Sequence, residues 1–273
     1  MKTLDNHLIL FDAECPMCRL YTGAFVNAGI LPADGRAAYQ YLPRAACPMV
    51  DRQRAVNEIA LVDQATGEVT YGIKSLFKIV GHAIPLLRPL FAFGPFVWLM
   101  SKFYSFISYN RRVIIPASHQ DVNSLQPSFK LNYRLLYLFF TWAVTGCILT
   151  AYVHLMRGML PMGNAFREYF VCAGQILFQG CVVAIIAKDK AWAYLGNMMT
   201  ISFGGALLLA PVLLLAPLLH FGPLFYLLYF FLVVGLMLLE HIRRTRLLRL
   251  NLVMSASWVV YRVLVLLLIF LAN

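Results

Sequence analysis

The chain has 273 residues, a net charge of +11 and 61% apolar composition. Ordinary Gly and Pro contents exclude a fibrous or disordered chain. Six cysteines spread over the whole length do not form the pattern of a small secreted disulfide scaffold. Charge is unevenly placed. Residues 1–127 carry 12 Lys/Arg and 9 Asp/Glu, whereas residues 128–273 carry 11 and only 3. The first part is long enough for one small soluble domain, and the second has the composition of a helical membrane domain.

In chain order, Leu8–Phe11 is a short buried strand. It is too short for a signal-peptide core and is followed at once by Asp12 and Glu14, so no cleaved leader is expected. Cys15 to about Ala28 is a helix with Pro16 in its first turn and Gly29 as its stop signal. Ala38–Leu42 is a second strand, and Pro43–Ala55 a basic loop with a short helix. Glu58–Val62 and Glu68–Tyr71 form a hairpin across Asp63-Gln64-Ala65-Thr66-Gly67. Ile73 to about Val80 is a helix. The order β-α-β, then β-β-α, is that of a small thioredoxin-like sheet. Residues 84–110 are apolar but interrupted by Pro85, Pro89, Gly94 and Pro95. They are expected either to complete the soluble core or to lie on a membrane surface.

Five segments are long and apolar enough to cross a bilayer: Tyr133–His154, Glu168–Ala187, Ala193–Ala216, Phe221–Leu239 and Leu252–Leu271. Pro211 is expected to kink the third. Lys102, Arg111, Arg112, Lys130, Arg134, Lys188, Lys190, Arg243, Arg244, Arg246 and Arg249 fall on one side of these spans, and only Arg157 and Arg167 on the other. The positive-inside rule then puts the N-terminal domain in the cytoplasm and the C-terminus outside, in an integral plasma-membrane protein of five spans. Basic clusters with this membrane explanation give no reason to invoke nucleic acid. Within the spans, Gln175 and Gln179 lie four residues apart on one helix face with Cys172. Arg262 lies about 15 Å into the last span at 1.5 Å per residue. A guanidinium at that depth needs partners, so the three polar residues define either a structural tie or an intramembrane site for a substrate or quinone.

The chemistry-bearing motif is Asp12-Ala13-Glu14-Cys15-Pro16-Met17-Cys18, where a strand gives way to a helix. Two cysteines one helical turn apart can form or break a disulfide. At the helix start the unpaired N–H groups favour a thiolate at Cys15, the nucleophile, with Cys18 as the resolving thiol. Pro16 presets the backbone there. Asp12 and Glu14 either accept a proton from Cys18 or raise the thiol pKa by like charge. The same pattern is half a zinc site, for which Cys47 and His7 are the remaining soluble candidates, and it also fits an inert pair. Redox chemistry requires Cys15 to be both ionised and reachable.

These residues resemble the DCC family of thiol-disulfide oxidoreductases, domain of unknown function 393, which opens with a strand and Asp-Gly-X-Cys-X-X-Cys. The strand and Gly-containing turn at Ile59–Gly67 and the helix start Tyr71-Gly72-Ile73-Lys74-Ser75-Leu76 are similar to its later elements. Tyr104 to Arg112, ending in Tyr109-Asn110-Arg111-Arg112, looks like its closing Tyr…Asn-Arg element. The likeness covers about residues 7–115. It implies a thioredoxin-like fold with Cys15 and Cys18 as the redox pair. Ala13 stands where the family has Gly, and Ala55-Val56-Asn57-Glu58 lacks the proline that thioredoxin-like enzymes carry before the third strand.

The expected organisation is a thioredoxin-like domain with membrane-proximal helices over 1–115, a linker over 116–132 and a five-helix transmembrane domain over 133–273. The expected function is membrane-anchored thiol-disulfide exchange with a protein or small-molecule thiol. No metal and no cofactor beyond the cysteine pair are required; haem, at His154 and His220, and quinone are lesser alternatives. The competing reading is a non-enzymatic membrane assembly, transport or redox-sensing module that docks a membrane-protein partner.

Overall fold

The computed structural model describes residues 3–41, 48–117 and 127–271, and the chain divides into two units, Met1–Tyr133 and Arg134–Asn273. In the first, strand β1 (His7–Phe11) is buried along its whole length, and the other strands are added around it. It pairs in parallel with β2 (Arg36–Ala38) and antiparallel with β3 (Ala60–Asp63), which pairs antiparallel with β4 (Val69–Tyr71). The order β2-β1-β3-β4 in a mixed sheet is the thioredoxin-like order expected from the sequence.

The two faces of the sheet follow from the two-residue period of a strand. Ile9 and Leu61 point to one side, into a cluster with Ile59, Ile30, Leu31 and Ile79. Leu8, Leu10, Ala60 and Val62 point to the other, against Val50 and Ala55. Helices α1 (Pro16–Asn27) and α3 (Ile73–Ala83) cover the first side, and α2 (Arg52–Asn57) the second. A sheet covered on both faces explains why β1 is apolar without alternation.

Local chemistry sets the element ends. Helix α1 stops in a Schellman motif: Gly29 takes φ +68°, its N–H reaches Val26 O, and the Ile30 N–H reaches Phe25 O. The Asp51 carboxylate caps α2 by accepting from Arg54 N at 3.0 Å. Between β3 and β4, Asp63 accepts from Ala65 N, and Gly67 at φ +76° closes the turn. Strand β2 corrects the sequence expectation of Ala38–Leu42. It pairs earlier, at Arg36–Ala38, because the chain turns at Tyr39 and Gln40, with Tyr41 N on Ala38 O at 3.1 Å. Leu42, the 43–47 part of the expected loop, Cys47 and the 118–126 part of the expected linker lie outside the described residues.

Residues 84–110 are helical. A 3₁₀ turn at Pro85–Leu87 leads into α4 (Arg88–Ala92), and after an 89° bend into the longer α5 (Gly94–Ile114). The C-terminal half of α5 belongs to the soluble core. Tyr104 Oη accepts from Ile59 N at 3.1 Å, Ser108 Oγ donates to Asn57 O, and Asn110, Arg111 and Val113 are buried.

The second unit contains five helices long and apolar enough to cross a membrane: α6 (Leu131–Val153), α7 (Arg167–Ile186), α8 (Ala191–Leu219), α9 (Pro223–Leu247) and α10 (Val253–Leu271). Many of their large apolar side chains, such as Leu136, Leu177, Leu214, Leu228 and Leu267, are exposed on the unit's surface. That is the distribution of a bundle whose solvent is lipid. Small residues admit close neighbours, as at Gly146, where an added Cβ would lie 2.5 Å from the Tyr169 ring. Helix α8 runs unbroken through Pro211 and Pro217. Helix α9 passes the expected end at Leu239, so Arg243, Arg244 and Arg246 sit on helical turns and not in a loop. Glu240 holds Arg243 and Arg244 at 2.6 and 2.7 Å, which sustains the helix past its apolar stretch.

Ile9 is fully buried between both helices of its face. Ile9→Ala is expected to cost about 2–5 kcal/mol, read as earlier unfolding of the N-terminal unit in guanidinium followed by protease sensitivity. Leu228→Ala, on the outer surface of α9, should leave that transition in place.

Candidate functional site

Cys15 is the N-cap of α1 and takes extended backbone angles, with Pro16 as the first helical residue. Its sulfur occupies the place usually held by a Ser or Asp oxygen and accepts from Cys18 N at 3.4 Å. The two cysteines are free thiols. A hydrogen bond donated by the Cys18 thiol pulls the Cys15 pKa down to about 6, against its burial; the Arg111 charge and the Cys18 N–H act in the same direction. Cys18 goes the other way, raised by that same hydrogen bond and by burial. One proton is thereby shared unequally: Cys15 is the thiolate at neutral pH and Cys18 the thiol.

Beneath the pair lies a buried ion pair. Asp12, at the end of β1, accepts from Arg111 Nη2 at 2.7 Å on one oxygen, with Arg112 at 3.6 Å from the same oxygen. Its other oxygen accepts from Glu14 N at 3.0 Å and Gln40 Nε2 at 2.8 Å. Gln40 also accepts from Ala13 N at 3.1 Å, so the turn that cut β2 short closes the loop before the dithiol. Arg111 spans the site. Its Nη2 also donates to Val56 O at 2.6 Å, and its Nη1 lies 3.8 Å from Cys18 Sγ. Val56 belongs to the stretch where thioredoxin-like enzymes carry a proline. Glu14 pairs with Arg112 at 3.1 Å, and Tyr21 Oη lies 3.6 Å from Cys18 Sγ.

The structure brings Cys15, Cys18, Asp12, Glu14 and Pro16 to one loop and helix start. It also corrects the expectation that Cys15 is reachable. Cys15 and Cys18 are 4% and 3% exposed, packed with Phe11, Met17, Tyr21 and Ala38. The sulfur sits where a helix cap belongs, and the neighbouring side chains close over it. His7, the zinc alternative, instead faces Asp63 at 3.8 Å, and Cys47 is outside the described residues. Among the described residues, no three His, Cys, Asp or Glu side chains are grouped to hold a metal ion.

Arg111, Gln40 and Tyr21 are the residues that sequence reasoning missed. Arg111 was present only as a membrane-flanking charge and as part of the closing Asn-Arg element. The signal for it was Asp12 itself, since a carboxylate placed at the buried end of a strand needs a cation.

In the second unit, Gln175 and Gln179 are both buried. Gln179 accepts from Tyr194 Oη at 2.8 Å and donates to Ser257 at 3.2 Å. Tyr194 Oη also meets His241 Nε2 at 3.0 Å, and His241 Nδ1 meets Ser255 Oγ at 3.1 Å. With the Tyr194 proton directed at Gln179, the His241 Nε2 nitrogen is the donor and Nδ1 the acceptor. Arg262 does not join this network. Its guanidinium lies 3.9 Å from the centre of the Trp258 ring, one turn back on its own helix, and among the described residues its Nε has no hydrogen-bond partner. The Gln175 amide nitrogen also has none.

Fold and site together define a thioredoxin-like domain that carries a vicinal cysteine pair, in one chain with a five-helix membrane domain. No protein-family model, curated protein or solved structure matches this chain.

Two measurements check the electrostatics. Alkylation of Cys15 should titrate with a midpoint near 6 in the native protein, and Arg111→Met should move that midpoint upward, because a cation favouring the thiolate is lost. Arg111→Met should also cost about 3–5 kcal/mol, because the buried Asp12 carboxylate loses its 2.7 Å cation and keeps only Arg112 at 3.6 Å; in Asp12→Asn/Arg111→Met much of that loss should be recovered.

Proposed function

We propose that the chain is a membrane-anchored thiol-disulfide oxidoreductase. The observation that carries this reading is a cysteine pair at a helix start, with Cys15 Sγ as the cap accepting from Cys18 N at 3.4 Å and the Arg111 guanidinium 3.8 Å from Cys18 Sγ, an arrangement that lowers the Cys15 pKa and raises that of Cys18. In the reducing direction, a docking partner displaces the cover of Phe11, Met17, Tyr21 and Ala38, and the Cys15 thiolate then attacks one sulfur of the partner disulfide. The partner S–S bond breaks, and the leaving sulfur departs with the bonding pair and takes a proton from water. Cys18 then loses its proton to water and attacks Cys15 Sγ. The mixed disulfide breaks, the second partner sulfur leaves and is protonated, and the protein retains a Cys15–Cys18 disulfide. Two electrons have passed to the partner, and a protein or small-molecule thiol restores the pair by the reverse sequence.

Arg111 and Tyr21 face the sulfur that must become the second nucleophile. Their role is to stabilise negative charge on Cys18 as its proton leaves. Asp12, with both oxygens engaged, holds Arg111 in place rather than taking the proton itself. A stabilised Cys15 thiolate is a good leaving group and favours the reduced state, so the pair is more oxidising than a structural disulfide.

The resemblance to the DCC family is part of the proposal, and what supports it is the meeting of the opening Asp-X-X-Cys loop with the closing Asn-Arg element. A cytoplasmic placement of this domain, with the C-terminus outside, rests on the distribution of basic residues. Burial of both sulfurs favours a second reading, a redox sensor that docks a membrane protein and opens only on binding.

Cys18→Ser in the full chain should trap a thiol-reversible adduct on Cys15, and Cys15→Ser should abolish it. An empty trap under oxidising and reducing challenge, with Cys15 still open to alkylation, overturns exchange chemistry. One oxidation per molecule without turnover on a dithiol, with partner binding intact, selects the sensor. The reduction potential should become more negative in Arg111→Met, because the thiolate loses its cation.

A further inference from the structure

Helices α3, α4 and α5 enclose a groove of about 1150 Å³ in the N-terminal unit, remote in sequence from the dithiol loop. Its wall is aromatic: Phe77, Phe91 and Trp98 line it, and Phe77 stacks on Phe91 at 4.3 Å. Lys74, Lys78, Arg88 and Lys102 also line it, with Glu68 as the single acidic residue, and Glu68 is already paired with Lys78 at 3.4 Å. Around the groove, the elbow between α4 and α5 carries a run of bare apolar side chains: Leu86 is 86% exposed, Trp98, which also lines the groove, 63%, and Phe93, Leu99 and Phe103 are each more than half exposed. A water-soluble domain does not leave so contiguous an apolar surface unless something covers it.

The elbow together with α5 has the length and composition of a broken membrane span, but its geometry rules out a crossing. The C-terminal half of α5 is fixed in the soluble core by Tyr104, Ser108 and Arg111. Only residues 94–103 remain, about 15 Å of helix at 1.5 Å per residue, against a hydrocarbon core of about 30 Å.

We propose that the α4–α5 elbow is a membrane-interface anchor, with its apolar corner seated at the level of the lipid headgroups and the groove receiving the headgroup of an anionic phospholipid. The choice of occupant follows from charge. The groove offers cations in excess, and Lys74 and Lys102 have no carboxylate partner among the described residues. The order of apolar corner, aromatic wall and basic rim matches the order of acyl chain, interface and phosphate. The same chain carries five helices long and apolar enough to cross a membrane, so a lipid surface is at hand. This inference does not depend on dithiol exchange.

The test uses the full chain in nanodiscs of phosphatidylcholine with and without one quarter phosphatidylglycerol. Subtracting the emission of Trp98→Phe from that of the wild type isolates Trp98 from the other tryptophans. That difference emission should lose most of its intensity to lipids brominated near the headgroup, lose less to lipids brominated deep in the chain, and resist aqueous iodide. Shallow quenching should be stronger with phosphatidylglycerol, and Lys74→Gln/Lys102→Gln should remove that increment. Strong iodide quenching without bromolipid quenching overturns the anchor in favour of water or a soluble partner. Deepest quenching at the chain ends overturns it in favour of a crossing. Quenching that vanishes as protein density in the disc rises assigns the surface to a second copy. Equal quenching in both lipid mixtures overturns the anionic headgroup. Leu99→Trp in the Trp98→Phe background gives an independent probe of the same corner, and must follow the same pattern.

Discussion

The N-terminal unit depends on one buried ion pair, Asp12 with Arg111 at 2.7 Å. Removing two charges from water is costly, and further bonds offset that cost: Gln40 and the Glu14 N–H on the carboxylate, the Val56 carbonyl on the guanidinium, with only Arg111 Nε left without a hydrogen bond among the described residues. The residues it joins are nearly one hundred positions apart. It fastens the loop that carries the cysteines to the last turn of α5, and it sets a permanent positive charge against Cys18. Structure and reactivity are therefore coupled through the same guanidinium. The charge that closes the fold also favours the thiolate form of both sulfurs.

The dithiol gains its asymmetry from its position on the helix. Cys15 caps α1 and receives the Cys18 N–H and thiol; Cys18, a turn inside, is desolvated and keeps its proton, which it donates in a hydrogen bond to the cap. A sulfur used as a cap is held in place by the helix it starts, which explains both its ionisation and its burial. Reactivity then requires that the packing of Phe11, Met17, Tyr21 and Ala38 yield to a partner. Exchange and sensing differ in how readily that cover moves, and not in the cysteines themselves.

The membrane unit solves the opposite problem. Its outer surface is apolar, and its polar groups are gathered inward. Gln179, Tyr194, His241, Ser255 and Ser257 come from four different helices and satisfy one another in a single buried chain of hydrogen bonds. In a lipid solvent, such shared polar contacts fix which helix faces meet, because apolar faces alone do not discriminate. Arg262 is accommodated differently, by the face of Trp258, which provides negative potential without a formal charge.

Local features were written plainly in the sequence. The order of strands and helices, the cap at Cys15, the Gly29 stop, the Asp63–Gly67 turn and the five apolar helices all depend on residues within a few positions of one another, where period, capping and turn chemistry act. What depended on distant partners was not legible. The early end of β2 came from Gln40 turning back onto Asp12, and the place of Arg111 from a carboxylate at the other end of the domain. The sequence by itself determined a thioredoxin-like order, a helix-start dithiol and a membrane-helical second half, since each is encoded by short-range pattern. Only the tertiary structure decided that Arg111 faces the cysteines, that both sulfurs are covered, and that Gln179 and Arg262 take separate partners, because burial and charge pairing are properties of chain segments that meet only on folding.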